Sequence, residues 1–386
     1  MRLHRTIAIG LALMAWPIAA QAQYLVVGND EKVTWDDKGN PVIGASGQDT
    51  VSIVDIKNPG APRVVNSLPL QNSVFGPPTN LAITPDNRLA LVANSVEAYQ
   101  DGSWKTRPDN KVYIIDLTTT PPSQIGTVEV GKQPSGMGIN RAGDMALVTN
   151  RADNSISVLS IRGKEVKVTD TVAMGDQVTA VSFTPDGRRA VAAKFTTHKV
   201  ALLDIDGGKV TYSKNDIPVG LWPYNLVIAG GGRIAVTADN GASGSSDGNV
   251  DTLTIIDLQA SPPRAVDKVV VGDAPEGIAV SPDGSMVAAI LLNGSAGVAK
   301  DAWFANPHGK VVSYKVNGTK LIRTGEVLVG KLPEGAGFSP DGKWLYVGNF
   351  VDRDIAVLRV EGDKLVDTKR NVTLPGRPAA LRSSIQ

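Results

Sequence analysis

The feature that most constrains this chain is a short passage of sequence that recurs along it. In Pro333-Glu334-Gly335-Ala336-Gly337-Phe338-Ser339-Pro340-Asp341-Gly342-Lys343-Trp344-Leu345-Tyr346-Val347-Gly348-Asn349, an apolar run leads into Ser-Pro-Asp-Gly, a second apolar run and a closing Asn. Pro275-Glu276-Gly277-Ile278-Ala279-Val280-Ser281-Pro282-Asp283-Gly284 repeats it almost letter for letter. Thr84-Pro85-Asp86-Asn87 and Thr184-Pro185-Asp186-Gly187 keep the turn, and Asn140-Arg141-Ala142-Gly143 and Ala229-Gly230-Gly231-Gly232 are degraded copies. Proline presets the second position of a turn, and Asp with Gly or Asn tolerates the backbone of the later positions. A tight turn between apolar runs predicts a hairpin, and its recurrence predicts a repeat architecture.

Each repeat can be anchored on the proline that opens its first strand: Pro78, Pro134, Gln177 (in place of proline), Pro223, Pro275, Pro333 and Pro378. The mean spacing is about 50 residues, within the range of propeller blades. Four strands are predicted per repeat; after Pro134 they fall at 137–140, 145–149, 155–160 and 166–172. The runs are short, bounded by turn residues and rich in Val and Ile, and no helical period is visible beyond residue 22. Pro378 starts a first strand with no second strand after it. The opposite end supplies three: Tyr24-Leu25-Val26-Val27-Gly28-Asn29, then 50–56 and 63–70. Joining the ends hides the edges that an open sheet would expose. The expected fold is all-β, a seven-bladed β-propeller closed by a 1+3 strand exchange between C-terminus and N-terminus, a single domain over residues 23–386.

Residues 1–22 read as a secretory signal peptide. Arg2 and Arg5 precede an apolar core at 7–20, too short to span a bilayer comfortably, and Ala20-Gln21-Ala22 is a small-residue cleavage site. No Cys follows that core, so no lipid anchor is expected, and the predicted location is the periplasm. The chain has 39 Lys and Arg against 38 Asp and Glu; this balance points to neither a nucleic-acid nor an acidic-membrane partner. With no Cys, disulfides, thiolate metal sites, Cys nucleophiles and haem attachment are excluded. Beyond the leader only His198 and His308 remain, too few for a three-His zinc site.

The runs Leu345-Tyr346-Val347-Gly348-Asn349, Leu147-Val148-Thr149-Asn150 and Leu91-Val92-Ala93-Asn94 resemble the repeats of bacterial YVTN-family β-propellers. So do Thr50-Val51-Ser52-Ile53-Val54-Asp55 and the Val-Gly-x-x-Pro signatures at Val130, Val271 and Val329. The pattern departs at Lys194 and Leu291, which stand where the closing Asn is expected. That family is grouped with lactonase-like and quinoprotein amine dehydrogenase beta-chain-like propellers. The resemblance implies the fold and permits, without specifying, a lactonase activity.

Insertions in repeat proteins gather on one face and carry function. Here 30–49, 95–110, 240–249 and 292–309 are long, and all follow the second strand of a blade, on the face called the top. Trp35, Trp104, Trp222 and Trp303 fall on top-face segments, with Phe75, Tyr99, Tyr224 and Phe304. Such rings serve binding sites; equally, they can pack long loops onto the rim. The residues after the anchors should ring the channel mouth: Thr79, Ser135, Val178, Tyr224, Glu276, Glu334 and Ala379. Glu276 and Glu334, on adjacent blades, could share a proton, act as a general base or hold Ca²⁺. Alternatively Lys331 or Arg377 neutralises them, or both are solvated.

No metal ligand set is assigned, and Ca²⁺ is the one cofactor the carboxylates could take. Asp247-Gly248-Asn249 with Asp251 lacks EF-hand spacing and reads better as an Asx-turn. His308 could pair with Glu276 as a general base, or simply be an exposed loop residue. Two functions are expected to compete. One is an exported binding or scaffold protein, monomeric, that engages a small molecule or a periplasmic protein through Trp35, Trp104, Trp222, Tyr224, Trp303, Arg151 and Lys194. The other is a lactonase-type hydrolase in which Glu276 or Glu334 activates water and Lys194, Arg151 or Lys331 stabilises the oxyanion. An accessory role in a periplasmic oxidoreductase is suggested by fold analogy alone.

Overall fold

The computed structural model describes residues 23–384, so the leader assigned to 1–22 lies outside the described residues. Seven four-stranded antiparallel sheets succeed one another around a ring. Blade 1 comprises Leu81–Ile83, Leu89–Asp101, Ser103–Asp116 and Ser123–Glu129. Blade 2 comprises Pro134–Ile139, Met145–Asn150, Ser155–Arg162 and Glu165–Ala173, and blade 3 Val178–Phe183, Arg189–Lys194, Lys199–Asp206 and Lys209–Pro218. Blade 4 is built of Pro223–Ala229, Ile234–Asp239, Asp251–Asp257 and Arg264–Gly272, and blade 5 of Pro275–Val280, Met286–Leu291, Gly309–Asn317 and Lys320–Val329. Blade 6 contains Pro333–Phe338, Trp344–Asn349, Asp354–Glu361 and Lys364–Thr373. In blade 7 the innermost strand is Pro378–Ser383, and Tyr24–Asn29, Thr50–Asp55 and Arg63–Leu68 lie outward of it. The chain ends meet with Leu25 opposite Ser383 and Val27 opposite Leu381. Among the described residues the only helical element is the short 3₁₀ turn Gly230–Gly232.

The repeated turn explains why the hairpins form where they do. In blade 5 the Ser281 hydroxyl donates to Asp283 (2.6 Å) and accepts the Met286 N–H (2.9 Å), so the turn is satisfied by its own side chains. The last turn position is left-handed: Gly284 has φ 72°, and Asn87 takes the same place in blade 1 at φ 54°. The core lies between blades, not along the axis. Val236, Leu253 and Ile255 of blade 4 face Ile278, Val287 and Val312 of blade 5, and Tyr346 and Val357 of blade 6 face Leu25, Val54 and Leu381 of blade 7. Second strands are therefore buried on both faces, as in Met145–Asn150, and read as continuous apolar runs.

Three details differ from the sequence reading. Segment 95–110 is not a loop: the second and third strands of blade 1 continue as a ladder from Val96 opposite Pro108 to Asp101 opposite Ser103. Segment 30–49 carries its own hairpin, Val33–Trp35 with Pro41–Ile43. In blade 3 the anchor position is Val178, which lies opposite Lys194 as Pro134 lies opposite Asn150. The channel-mouth residue of that blade is thus Thr179, not Val178.

The 30–49 insertion is held to the ring by a buried polar knot. Lys32, 2% exposed, lies 2.8 Å from Asp49 and 3.4 Å from Asp30, and also donates to the Asn72 carbonyl. Asp30 accepts the N–H groups of Lys32, Val33 and Val74. Burial pushes the Asp30 carboxyl above its ordinary range against the pull of Lys32. Removing one partner from such a knot typically costs about 3–5 kcal/mol, because the remaining charge stays buried.

Candidate functional site

At the channel mouth blades 5 and 6 each present Pro-Glu-Gly. The glycine matters for proximity: a Cβ on Gly277 would stand 2.4 Å from the Glu334 carbonyl oxygen, so only glycine lets blade 6 come this close. Glu276 and Glu334 converge as a result. Their carboxyls interact with each other as hydrogen-bonding groups, they are 5% and 2% exposed, and the Glu334 Oε2 atom has no hydrogen-bond partner among the described residues. Burial raises Glu276 to about 8, against the opposing effects of the Glu334 hydrogen bond and the Arg151 charge. Glu334 is held well above the carboxylate range by burial, then by the Glu276 charge and by donating its hydrogen bond. Burial and mutual repulsion thus favour a pair that shares a proton over one that carries two charges.

The compensating cation is neither Lys331 nor Arg377. Lys331 is exposed and Arg377 pairs with Glu31 at 2.9 Å. It is Arg151, whose charge reaches Glu276 from the connection after the second strand of blade 2. Its guanidinium lies 4.8 Å from the Phe195 ring centroid and 5.9 Å from that of Tyr224, and its Nε donates to Gln177 at 3.4 Å. Tyr224 is buried; burial, and after it the Glu276 charge, raises its hydroxyl well above the ordinary value. Phe195 also packs on Trp222 (5.0 Å between centroids), and His198 stands edge-on to Trp222 while its Nδ1 accepts the Trp222 N–H at 3.0 Å. Trp222 at φ 54° is one of four non-glycine residues held left-handed directly before an anchor proline, with Gln133, Ala274 and Leu332. Strain of about 1–3 kcal/mol each at such positions is typical of sites fixed by their surroundings.

The remaining expected residues are dispersed. Lys194 is committed to its own blade, donating to Asp216 (2.8 Å) and the Tyr212 hydroxyl (3.1 Å). Burial opposes its charge, and these two partners outweigh burial and raise its pKa; the ammonium is therefore not available at the mouth. His308 is exposed, and its ring makes no hydrogen bond among the described residues. Trp104 sits near the tip of the blade 1 ladder opposite Gln100. Trp303 is 82% exposed, edge-on to Phe304 above Gly248. Trp35 packs edge-on to Phe350 at 5.6 Å and lines a groove of about 550 Å³ with Asp36, Lys300, Lys331 and Arg377. Four tryptophans on one face therefore do not make one patch.

Insertions 240–249 and 292–309 interlock: Gly294 N–H donates to Ser246 Oγ at 2.9 Å. The first of them covers the carboxyl pair, since a Cβ on Gly244 would lie 3.7 Å from Glu276 Oε1. Beneath it Asp251 accepts the Ala274 N–H and is raised to about 7, by burial and then, against that hydrogen bond, by Asp273, Asp247 and Asp239. Among the described residues no three His, Asp or Glu side chains converge to hold a metal. Sequence reasoning did not reach Thr179, Phe195 or the spacing role of Gly277, although the doubled Pro-Glu-Gly pointed to the last.

Comparison with protein-family models finds no match, and comparison with curated proteins finds none. Solved structures do match. A putative 6-phosphogluconolactonase from Bacteroides fragilis NCTC 9343 is 17% identical over 95% of this chain and 99% of that one, with a TM-score of 0.69. The periplasmic gluconolactonase PpgL of Pseudomonas aeruginosa is 19% identical over 94% and 99%, with a TM-score of 0.65. Hydrazine synthase of Kuenenia stuttgartiensis is 19% identical over 79% and 88%, with a TM-score of 0.59. At these identities the shared property is the propeller fold, and the chain is a seven-bladed β-propeller similar to lactonase-like members of that architecture.

Proposed function

We propose that the protein is an exported lactonase-type hydrolase whose acid and base are the Glu276–Glu334 pair. The observation that carries this reading is the convergence of two buried carboxyls, both raised above the carboxylate range, within range of the Arg151 charge. Perturbed groups so arranged cluster at functional sites. Glu276, as carboxylate, takes a proton from water as its oxygen attacks the lactone carbonyl carbon. Arg151 stabilises the oxyanion. The ring C–O bond breaks, and the leaving oxygen takes the proton of Glu334. Because the two carboxyls are hydrogen bonded, the proton gained by Glu276 passes to Glu334 and restores the pair. Each lactone consumes one water and yields one hydroxy acid. Entry requires insertion 240–249 to lift from Glu276, and its glycines Gly241, Gly244 and Gly248 at positive φ allow that change. Export is supported by the leader-like residues 1–22 and by the likeness to a periplasmic gluconolactonase.

The test is hydrolysis of an aldonolactone panel, monitored by proton release. The wild-type rate should rise with pH through about 8 as Glu276 ionises. Glu276→Gln should lower kcat by roughly 10²–10⁴-fold with a melting temperature no lower than that of wild type, and EDTA should have no effect. Unchanged turnover in Glu276→Gln would refute the assignment. A second reading, a monomeric binding protein for a small polar molecule or a periplasmic partner, is favoured by the Trp35 groove, whose volume suits a small ligand. It takes precedence if every lactone is inert and a panel member instead quenches tryptophan fluorescence saturably in wild type but not in Trp35→Ala.

A further inference from the structure

The half of the channel facing the Pro-Asp-Gly turns is a separate space. It is a cavity of about 660 Å³ to which every blade contributes, with Ile83, Phe183, Val227 and Phe338 among its apolar walls and Ser182 and Ser281 among its hydroxyls. Into it comes Arg382, from the innermost strand of blade 7, opposite Val26. The same register position is Ala82, Gly138, Ser182, Val227, Ala279 and Gly337 in blades 1 to 6. Six blades thus keep a side chain no larger than valine there, and the seventh places a guanidinium in the space they leave.

Arg382 is half-buried and makes no hydrogen bond or ion pair among the described residues. Burial, with nothing opposing it, lowers its pKa to about 10. A guanidinium partly withdrawn from water with no protein acceptor leaves its fork of donors directed at the cavity, and such a group in a native structure calls for a partner. The other charged residues lining the cavity are Arg141, exposed at the rim, and Asp283. Asp283 is held ionised by hydrogen bonds from Ser281 and Ser285. Two guanidiniums against one carboxylate leave a single positive charge, which matches a monoanion and not a dianion. The apolar walls cannot hydrate a compact ion but can cover a hydrocarbon body.

We propose that this cavity binds an organic monocarboxylate, its carboxylate accepting a forked pair of hydrogen bonds from Arg382 and its apolar part packed between Ile83, Phe183 and Phe338. The site is distinct from the carboxyl pair and does not depend on the hydrolase reading. The test is calorimetric titration of the full chain with sodium benzoate, alongside thermal melts. Wild type should bind one equivalent, with a melting temperature that rises with benzoate. Arg382→Gln should bind at least tenfold more weakly and lose that rise. Arg382→Lys, which keeps the charge but not the fork, should fall between. No side-chain hydrogen bond or ion pair among the described residues is lost on removing Arg382, so Arg382→Gln should melt close to wild type. Ser182→Phe, which fills the cavity from blade 3, should abolish binding with Arg382 intact and serves if the first variant fails to fold. Equal binding by Arg382→Gln, no saturable binding by wild type, or tighter binding of inorganic phosphate than of benzoate would overturn the proposal.

Discussion

Two carboxyls that prefer to be protonated make the folded state an acid-favoured state. An acid whose pKa is raised on folding binds more protons folded than unfolded, so its contribution is complete below the unfolded value and is lost as pH rises through the folded one. For Glu276 that window runs from its ordinary value near 4.5 to about 8, and Glu334 and Asp251 shift in the same direction. Stability should therefore decline between pH 5 and 8, by up to about 1.4 kcal/mol per pH unit for each such group. Glu276→Gln should flatten the decline and be more stable than wild type at pH 8–9. Urea unfolding across that range is the check; a parallel slope in the variant would mean that Glu276 is ordinary in the folded protein.

At the scale of elements, glycine sets how closely blades approach at the mouth. Gly277→Ala puts a methyl 2.4 Å from the Glu334 carbonyl and 2.9 Å from Ile290 Cβ, neither of which can yield easily. Overpacking of this kind costs about 1–3 kcal/mol. The forced separation of blades 5 and 6 should also weaken the carboxyl pairing, so the variant should lose stability in urea and lose part of the pH slope. A variant as stable as wild type would show that the blades are not in close contact there. The repeat was legible in the sequence because its signal is local: Ser281, Pro282, Asp283 and Gly284 form their turn within a few residues. The features that stayed hidden depend on partners far along the chain. Lys194 is drawn from the mouth by Asp216 on the outer strand, and Arg151 meets Tyr224 only once blades 2 and 4 are placed. Blade 3 lacks the anchoring proline, so nothing local distinguished Gln177 from Val178. The blade 1 ladder did leave a trace: apolar Val96 and Ala98, both buried, flank the charged and less buried Glu97, the alternation of a strand read as a loop.

For the molecule as a whole, the ring is secured where its ends meet. Arg377 donates to Glu31, 346 positions away, the Tyr346 hydroxyl donates to the Pro59 carbonyl at 2.9 Å, and Pro378–Ser383 covers the edge of Tyr24–Asn29. A chain ending at residue 377 should expose that edge and the inner faces of blades 6 and 1. Size-exclusion chromatography should show self-association, and melting should lose its single cooperative transition. A monomeric truncation with unchanged melting would mean that the closing strand is dispensable.

The same closing sheet has a kinetic side. Six blades are made of consecutive strands and can zip up as neighbours in sequence, whereas the seventh must wait for the most distant encounter the chain has to make. Until that encounter the three leading strands present a bare ladder of amides and carbonyls, so the slowest step of maturation coincides with the greatest exposure to wrong partners. Under the proposed export, in which the chain crosses a membrane as an extended thread, this timing would keep the toroid from shutting until its last innermost strand has arrived.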